Sequence, residues 1–400
     1  MKKNLVIVYL AAAGDGISGG TRIHIECTKR WFKNKDFKSI AILASDDGYK
    51  VCLKNGVDKK CLMLVSTSFT RNINFWVDYI ARIIKGTMLS FKHELKKNES
   101  YFVYAASDFW ADFFPALILK LRYKKNVTLL ASLYLFAPAP WAKDNPYKGR
   151  FVINGFLYWL TQIPVYLLIK SVADYVFVTS KPDVQKFITR RRGESKIIVA
   201  QGGVNITESE RYFKSGKVIP ARKRKYDACF VGRFHHQKGV SELIDIWNHV
   251  CKKLSTAKLA MVGTGSGPLE NIVKDKIKKY HLEDNVELFG FLDGERKYAI
   301  FKNSKIVIHP ATYDSGGMAA AEAMAWGLPG VSFDLKALKT YYPKGMIKTR
   351  PGDIRQFADN ILRLLDNARL YKNMSEDARS LIIETWDWNK RARFILDKFI

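Results

Sequence analysis

The sequence predicts an α/β protein made of two Rossmann-like domains in succession. Short apolar segments rich in Val and Ile alternate with segments of helical periodicity, which is typical of a mostly parallel sheet covered on both faces. The alternation stops over a polar, basic stretch at residues 206–225 and then starts again. With 400 residues, 48% of them apolar, the chain can form two cores and is not composed like a disordered protein.

The strand candidates are short apolar runs between turn residues. Six lie in the first half: LVIVYL, SIAILAS, FVYAAS, VTLLASLY, YVFVTS and KIIVAQGG. Five lie in the second half: YDACFVGR, AKLAMVG, VELFGF, KIVIHPA and LPGVSFD. Helices are predicted between strands, for example at residues 20–34, 72–90 and 108–121. The expected divisions are a first domain at 1–205, a linker at 206–225, a second domain at 226–382 and a final helix at 383–400.

Two apolar segments also allow a targeting or membrane interpretation. Residues 1–13 imitate a short signal peptide, but they run into a glycine-rich loop as the first strand of a Rossmann-like unit does, and we favour the strand. Residues 151–169 are uncharged and just long enough to span a membrane. Because they contain polar residues and Pro164, we favour a buried or interfacial helix broken near Pro164 over a membrane span.

The net charge of +28 indicates an anionic partner. Residues 1–220 hold 35 basic and 17 acidic residues, a net charge of +18, so most of the excess lies in the half that also contains the long apolar segment. The basic residues are spread along the chain and no nucleic-acid-binding module is present, which favours an anionic membrane surface over nucleic acid. The five scattered cysteines indicate a reducing cytoplasm.

The turn VGRFHHQKGV, at residues 231–240, carries a candidate diphosphate site. A strand ends at Gly232, and Arg233 and Lys238 flank the loop that precedes the next helix. Ligands of open α/β sheets bind at this carboxyl edge, and phosphate accepts hydrogen bonds from both side chains. A solvated basic turn is the alternative.

The run at residues 309–334 is the most informative. Asp314 and Glu322 lie eight residues apart, and between them a loop, Ser315, Gly316 and Gly317, precedes a small-residue helix that begins at Met318. The first N–H groups of a helix favour phosphate, and the alanines from Ala319 onward let a ligand approach the backbone. Glu322 could accept hydrogen bonds from ribose hydroxyls. The alternatives are an acid favoured by the helix dipole and close helix–sheet packing.

Taken together, these motifs resemble the GT-B glycosyltransferases of family 4. The resemblance rests on Gly-Arg-x4-Lys-Gly, then Gly-x-Gly-x-Gly-Pro at residues 263–268, then a Phe-Gly turn, then acid-x7-Glu-Ala-Met-Ala-x-Gly-x-Pro, in that order. The Trp-Asp helix near the C-terminus also fits. The first half matches more loosely, through Gly19-Gly20, Asp108 and the turn at 201–205.

The resemblance implies a GT-B architecture, with two Rossmann-like domains facing each other across a cleft. It also implies a nucleotide-sugar donor on the second domain and no metal or other cofactor. The residues it assigns to catalysis are Arg233, Lys238 and Asp314. Those it assigns to donor binding are Gly20, Gly232, Gly265, Phe291, Ser315, Gly316, Gly317, Met318, Ala319 and Glu322.

Two positions depart from the family pattern. The first acid of the motif is usually Glu and here is Asp314, one methylene shorter, and a histidine usual in the first domain is replaced by Leu133-Tyr134. The resemblance implies a retaining hexosyl transfer to a saccharide or lipid-linked acceptor in cell-surface glycan assembly. We expect acceptor contacts around residues 131–150 and a location on the inner face of the cytoplasmic membrane. The alternatives are a phosphorylase or an epimerase on the same fold. A nucleic-acid-binding protein is a further alternative, which we favour less.

Overall fold

Two parallel β-sheets organise the chain, one in each of two units. In this computed structural model the described residues are all but 1, 2, 15, 72, 93, 143, 144, 146, 148, 150, 151, 266, 267 and 315. Unit 1 comprises Met1–Pro140, Val152–Gly202 and Trp388–Ile400, and unit 2 comprises Trp141–Phe151 and Gly203–Asp387. The predicted α/β class with two Rossmann-like domains is confirmed.

The described part of unit 1 has seven parallel strands in the order β3-β2-β1-β4-β5-β6-β7. The strands are β1 (Asn4–Tyr9), β2 (Ser39–Ala44), β3 (Leu62–Leu64), β4 (Tyr101–Ala105), β5 (Val127–Ser132), β6 (Tyr175–Val178) and β7 (Ile197–Val199). The helices are α1 (Gly19–Lys33), α2 (Asp46–Lys54), α3 (Ser68–Arg71), α4 (Phe75–Lys92), α5 (Trp110–Arg122), α6 (Val152–Val172) and α7 (Lys181–Phe187), followed by α16 (Trp388–Leu396) from the end of the chain.

In unit 2 the described residues form six parallel strands in the order β10-β9-β8-β11-β12-β13. The strands are β8 (Tyr226–Val231), β9 (Leu259–Val262), β10 (Val286–Leu288), β11 (Ser304–His309), β12 (Gly330–Phe333) and β13 (Met346–Thr349). The helices are α8 (Thr207–Lys214), α9 (Val240–Lys253), α10 (Pro268–Lys279), α11 (Gly294–Lys302), α12 (Met318–Met324), α13 (Lys336–Tyr341), α14 (Ile354–Asp366) and α15 (Ala368–Thr385).

The central strands of the unit 2 sheet are buried by apolar clusters, which explains why they are nearly continuous apolar runs. One apolar cluster contains Trp326, Tyr342 and Trp386, and another contains Trp247 and Phe357. The core of unit 1 joins β4 and β5 to α5 through residues such as Phe113. The helices cover the faces of the sheets, so the carboxyl ends of the strands and the loops that follow them are the places where a ligand can bind.

The stretch predicted as a linker is structured. Within residues 206–225, helix α8 presents Tyr212, whose ring centroid lies 5.5 Å from that of Trp326, and Arg224 donates a hydrogen bond to the carbonyl of Ser304 at 2.9 Å. The division between the units falls after Gly202. A short surface helix held by a few aromatic contacts has the polar composition of a linker, so composition could not separate the two.

Helix α6 differs from its prediction because it is continuous through Pro164 rather than broken there. It is the one helix in the described part of the chain that is long and apolar enough to cross a membrane by length and composition, and 22% of its apolar window is buried within the protein. Proline fits a helix whose neighbours and side chains satisfy the released carbonyl groups. The prediction of a helix here is confirmed, and the predicted break is wrong.

Candidate functional site

The two central strands of unit 2, β8 and β11, mark the point where the strand order reverses. From β8 the chain continues outward to β9 and β10, whereas from β11 it continues in the opposite direction to β12 and β13. In open α/β sheets, ligands bind in the crevice that such a reversal leaves at the carboxyl ends of the strands. The loops after β8 and β11 therefore border the candidate site.

The loop after β8 lies in close contact with the loop after β11 at a glycine. After a single 3₁₀ turn, His236–Lys238, the chain reaches Gly239, whose φ of 64° is left-handed and which is the N-cap of α9. A Cβ atom at Gly239 would lie 1.9 Å from the carbonyl oxygen of Pro310, so no side chain fits there. This contact brings Lys238 to the residues that follow β11.

Lys238, Asp314 and His309 form a charged cluster between these loops. Lys238 Nζ lies 2.6 Å from Asp314 Oδ2, and His309 Nε2 lies 3.2 Å from the same oxygen. Burial alone would raise the pKa of the Asp314 carboxyl, but the Lys238 charge and the His309 contact outweigh it and hold that pKa well below its usual value. Burial lowers the pKa of His309, so at neutral pH the cluster combines one cation, one anion and a neutral imidazole.

The other oxygen of Asp314 organises the loop before α12. Asp314 Oδ1 accepts hydrogen bonds from the backbone N–H groups of Gly316 and Gly317 at 3.1 and 3.2 Å. Gly317, with a φ of 61°, is the N-cap of α12, and the Tyr342 hydroxyl donates to its carbonyl oxygen. Both carboxylate oxygens of Asp314 thus have partners within unit 2, whereas the sequence predicted contact with the donor. Ser315 lies outside the described residues.

Glu322 is held by a buried lysine. Lys297 on α11 places Nζ 2.9 Å from Glu322 Oε2 and 3.0 Å from Asp293 Oδ1. Burial lowers the pKa of Lys297, but the two carboxylates raise it by more, so the ammonium stays charged. Met318 and Ala319, half-buried on the first turn of α12, lie one turn before Glu322. Glu322 therefore has a fixed orientation beside the helix start.

Three strand-end loops of unit 2 meet through glycines. Gly232 N–H donates to the Val262 carbonyl at 3.0 Å, and Gly263 N–H donates to the Gly290 carbonyl at 2.8 Å. A Cβ atom at Gly265 would lie 2.6 Å from that of Phe234. Gly232 and Gly265 thus allow the backbones of these loops to lie close together, which explains the two glycines without a ligand.

The remaining predicted residues stand at the surface or in the other unit. Arg233 is exposed and has no ion pair among the described residues. Phe291 follows β10 with 73% of its surface exposed. Gly20 lies in unit 1, where its Cβ would come 2.5 Å from the Tyr134 ring. Packing against Tyr134 accounts for a glycine at that position.

Sequence reasoning missed three residues that position the site: His309, Lys297 and Tyr342. His309 carried a detectable signal, because it is a polar residue at the carboxyl end of an otherwise apolar strand. Lys297 and Tyr342 carried none, since Lys297 reaches the site from α11 and Tyr342 from the residue that follows α13. Within the described part of the chain, no group of three His, Cys, Asp or Glu side chains is placed to hold a metal ion.

Comparison with known proteins assigns this region of the chain. Residues 213–381 match the model of the family described as glycosyl transferases group 1. An uncharacterized glycosyltransferase of Methanocaldococcus jannaschii is 29% identical over 232 residues, which is 56% of this chain and 58% of that protein. The amylovoran biosynthesis glycosyltransferase AmsD of Erwinia amylovora is 30% identical over 231 residues, 54% of this chain and 62% of its own. The matches to these relatives therefore span less than two thirds of their length.

Solved structures resemble the whole chain. Sucrose-phosphate synthase from Thermosynechococcus elongatus has a TM-score of 0.71 at 16% identity and covers 98% of this chain and 97% of its own. HepE of Anabaena has a TM-score of 0.70 at 14% identity, with 99% of both chains covered. At these identities the likeness establishes the fold. Residues 213–381 are thus similar to the glycosyl transferases group 1 family, and the chain as a whole has the GT-B fold.

Proposed function

We propose that this protein is a retaining, metal-independent glycosyltransferase that moves a sugar from a nucleotide-diphosphate donor to a saccharide or lipid-linked acceptor in cell-surface glycan assembly. The observation that carries the proposal is the Lys238–Asp314 pair, which lies at the reversal point of the unit 2 sheet. It lies within the segment that matches the family. HepE of Anabaena, of the same fold, has been solved with UDP and glucose, which supports a nucleotide-sugar donor.

Lys238 and Arg233 are suited to stabilise the leaving diphosphate. An ammonium group has three donors, and Asp314 engages Lys238 through one oxygen, so further N–H bonds remain for phosphate. Arg233 is exposed on the same loop and would add a planar pair of donors. Negative charge develops on the phosphate oxygens as the bond between the sugar and the diphosphate breaks. Cations fixed beside these oxygens lower the activation free energy of the transfer.

The proposed transfer needs no protein base. The acceptor hydroxyl approaches the anomeric carbon on the face from which the diphosphate departs. The new C–O bond forms as the bond to the diphosphate breaks, and the hydroxyl proton passes to the departing phosphate oxygen. Glu322, oriented by Lys297, would accept hydrogen bonds from the ribose, and Phe291 would lie beside the base. The acceptor side, predicted around residues 131–150, is proposed for unit 1 and the adjoining loop.

Calorimetric titration with UDP-, GDP- and ADP-sugars tests the donor assignment. We expect one donor to bind, Glu322→Gln to weaken its binding, and Arg233→Gln to lower turnover by about 100-fold because a transition-state donor is lost. Arg369→Gln is the matched control, since Arg369 is an exposed arginine at the start of α15. Turnover by Arg233→Gln equal to that of Arg369→Gln would remove Arg233 from the mechanism.

Product analysis distinguishes the alternatives. Transfer with retained anomeric configuration, unchanged by a chelator, supports the proposal. Sugar release to inorganic phosphate would identify a phosphorylase, and conversion of the donor without an acceptor would identify an epimerase.

A further inference from the structure

Helix α4 in unit 1 is amphipathic, but its polar face is buried and its apolar face is exposed. Its buried stripe is Asp78, Arg82, Gly86 and Ser90, spaced four residues apart. Asp78 accepts hydrogen bonds from the hydroxyls of Thr67 and Thr70 at 2.8 and 3.0 Å and pairs with Arg82. A surface helix normally turns its apolar stripe to the core and its polar face to water.

The outer face of α4 is apolar. Trp76, Ile80, Ile84 and Met88 also recur every four residues, and each is more than half exposed. At this spacing their side chains form one line along the helix surface. Helix α4 therefore exposes an apolar stripe of the kind that a helix normally packs against a protein core.

Helix α6 extends the same kind of surface. Its exposed side includes Ile153, Phe156, Leu160 and Leu167. Its inner side is tied into the fold, because Gln162 Nε2 donates to Asp108 Oδ2 at 2.7 Å and Gln162 Oε1 accepts from the Ala137 N–H at 2.8 Å. These bonds hold α6 along unit 1 and argue against its crossing a bilayer.

Helix α5 joins the two apolar faces. The Trp110 N–H binds the hydroxyl of Tyr79 on α4 at 3.0 Å, and Trp110 Nε1 donates to the Thr161 carbonyl on α6 at 2.9 Å. All three helices make crossovers in the same direction along the sheet, and right-handed crossovers therefore place them on one face. With half of each large side chain exposed, the apolar area is on the order of 1,000 Å², above the patches usual for monomers.

The charges on these helices favour an anionic lipid surface over a second copy of the chain as the binding partner. Their acids, Asp78 and Asp112, are both buried, whereas Lys85, Lys92 and Arg122 are exposed. A second copy would bring the same basic surface and another +28 charges to the contact. An anionic lipid surface accepts both the apolar stripe and the cations.

We propose that the outer face of α4, α5 and α6 lies flat on an anionic lipid bilayer. The apolar side chains enter the boundary between headgroups and acyl chains, and the flanking cations contact lipid phosphates. The inference gives a defined surface to the membrane location that the sequence leads us to expect, and it is independent of the transfer chemistry.

Vesicle flotation of the full chain tests this surface. We expect binding to phosphatidylcholine vesicles containing about one third phosphatidylglycerol and weaker binding to phosphatidylcholine alone. The triple variant Ile80→Gln, Ile84→Gln, Met88→Gln should lose about 100-fold or more in vesicle affinity, because three inserted side chains are removed. The matched control is Leu53→Gln, Ile272→Gln, Phe394→Gln, which replaces exposed apolar residues on α2, α10 and α16 and should bind like wild type.

A second measurement locates the helix. Brominated acyl chains should quench tryptophan fluorescence of the wild type more than that of Trp76→Phe, which keeps an aromatic ring and should keep vesicle affinity. Unchanged thermal unfolding and donor binding in the triple variant would show that the fold and the donor site are intact. Vesicle binding by the triple variant at wild-type strength overturns the proposal. So does a lipid-free dimer that the triple variant converts to a monomer, because the face would then join two copies.

Discussion

At residue 314, an aspartate stands where the family resemblance implies a glutamate. Its short side chain brings Oδ1 within hydrogen-bond distance of the N–H groups two and three residues ahead, an arrangement typical of Asp in turns. The same carboxylate binds Lys238 and His309. We infer that Asp314 shapes the loop before α12 and positions Lys238.

We predict that Asp314→Asn lowers the free energy of unfolding at pH 7 by about 2–3 kcal/mol, the range for hydrogen bonds to a charged group. The folded-state pKa of Asp314 lies below its unfolded value because Lys238 and His309 outweigh burial. The stabilisation is therefore fully present above the unfolded pKa of about 3.9 and is lost as pH falls through the folded value.

Urea unfolding of both proteins between neutral and acid pH measures this difference. The gap should stay constant above about pH 5 and shrink below about pH 4. Asp359→Asn is the control, since the surface pair with Lys253 should contribute less than about 1 kcal/mol. A gap of the same size at acid and neutral pH would contradict the assignment of charge to Asp314.

At the residue scale, motif spacing grouped candidate site residues that are close in the chain. Arg233 and Lys238 lie between β8 and α9, and Asp314 precedes the helix that carries Glu322, so the spacing within each motif displayed both groups, and their roles toward a donor stay predictions. The bond from Lys297 to Glu322 depends on how α11 packs beside α12, which no local pattern encodes.

At the scale of elements, the site depends on how closely two loops approach. Gly239 has no side chain to separate the loop after β8 from Pro310, and this closeness allows Lys238 to reach Asp314. The loop after β8 is thus positioned by backbone contact as well as by charge.

We predict that Gly239→Ala lowers stability by about 3 kcal/mol or more, because the left-handed backbone adds about 1–2 kcal/mol and the clash with Pro310 adds to it. Donor affinity should fall more than about tenfold as Lys238 moves away from Asp314. Chemical unfolding and calorimetry measure the two effects.

Gly216→Ala is the control for the backbone term. Gly216 has a φ of 67° and no heavy atom within 4 Å of the added Cβ, so it should show the strain without the clash or the loss of donor affinity. Equal losses of stability in the two variants would mean that the Pro310 contact has no influence.

Element predictions were accurate for buried strands and weaker at the edges. The strands β3 and β13, which the sequence did not predict, are edge strands and are only partly buried, whereas the opposite edge strands β7 and β10 were predicted. Edge strands need less apolar surface, so their signal is weak. Periodicity predicted α4 but not its orientation, because a polar stripe that faces the core has the same period as one that faces water.

At the scale of the whole molecule, the end of the chain completes the core of unit 1. Trp31 Nε1 on α1 donates to the Ala392 carbonyl on α16 at 3.0 Å. The Phe399 ring lies 5.1 Å from Phe102 and 5.8 Å from Phe177, centroid to centroid. Unit 1 is therefore built from segments far apart in the sequence.

We predict that Phe399→Ala destabilises unit 1 by about 3–5 kcal/mol, the usual result of deleting a buried aromatic ring. Hydrogen exchange should accelerate in β4 and β6, which carry its neighbours, before it changes in β8. Phe394→Ala on α16 is the control, because Phe394 is 41% exposed and its loss should cost less than about 1 kcal/mol. Uniform acceleration in both units would contradict the assignment of Phe399 to unit 1.

The sequence by itself determined the α/β class with two Rossmann-like domains and the order of the buried strands along the chain, whereas the domain boundaries and the site residues stay predictions. It could do so because apolar periodicity and motif spacing are local properties. Only the tertiary structure decided that residues 206–225 contain a packed helix, that Asp314 and Glu322 each have a lysine partner, and that α4 exposes its apolar stripe. These features arise from contacts between distant segments, whose free energy depends on packing and burial that the order of residues does not display.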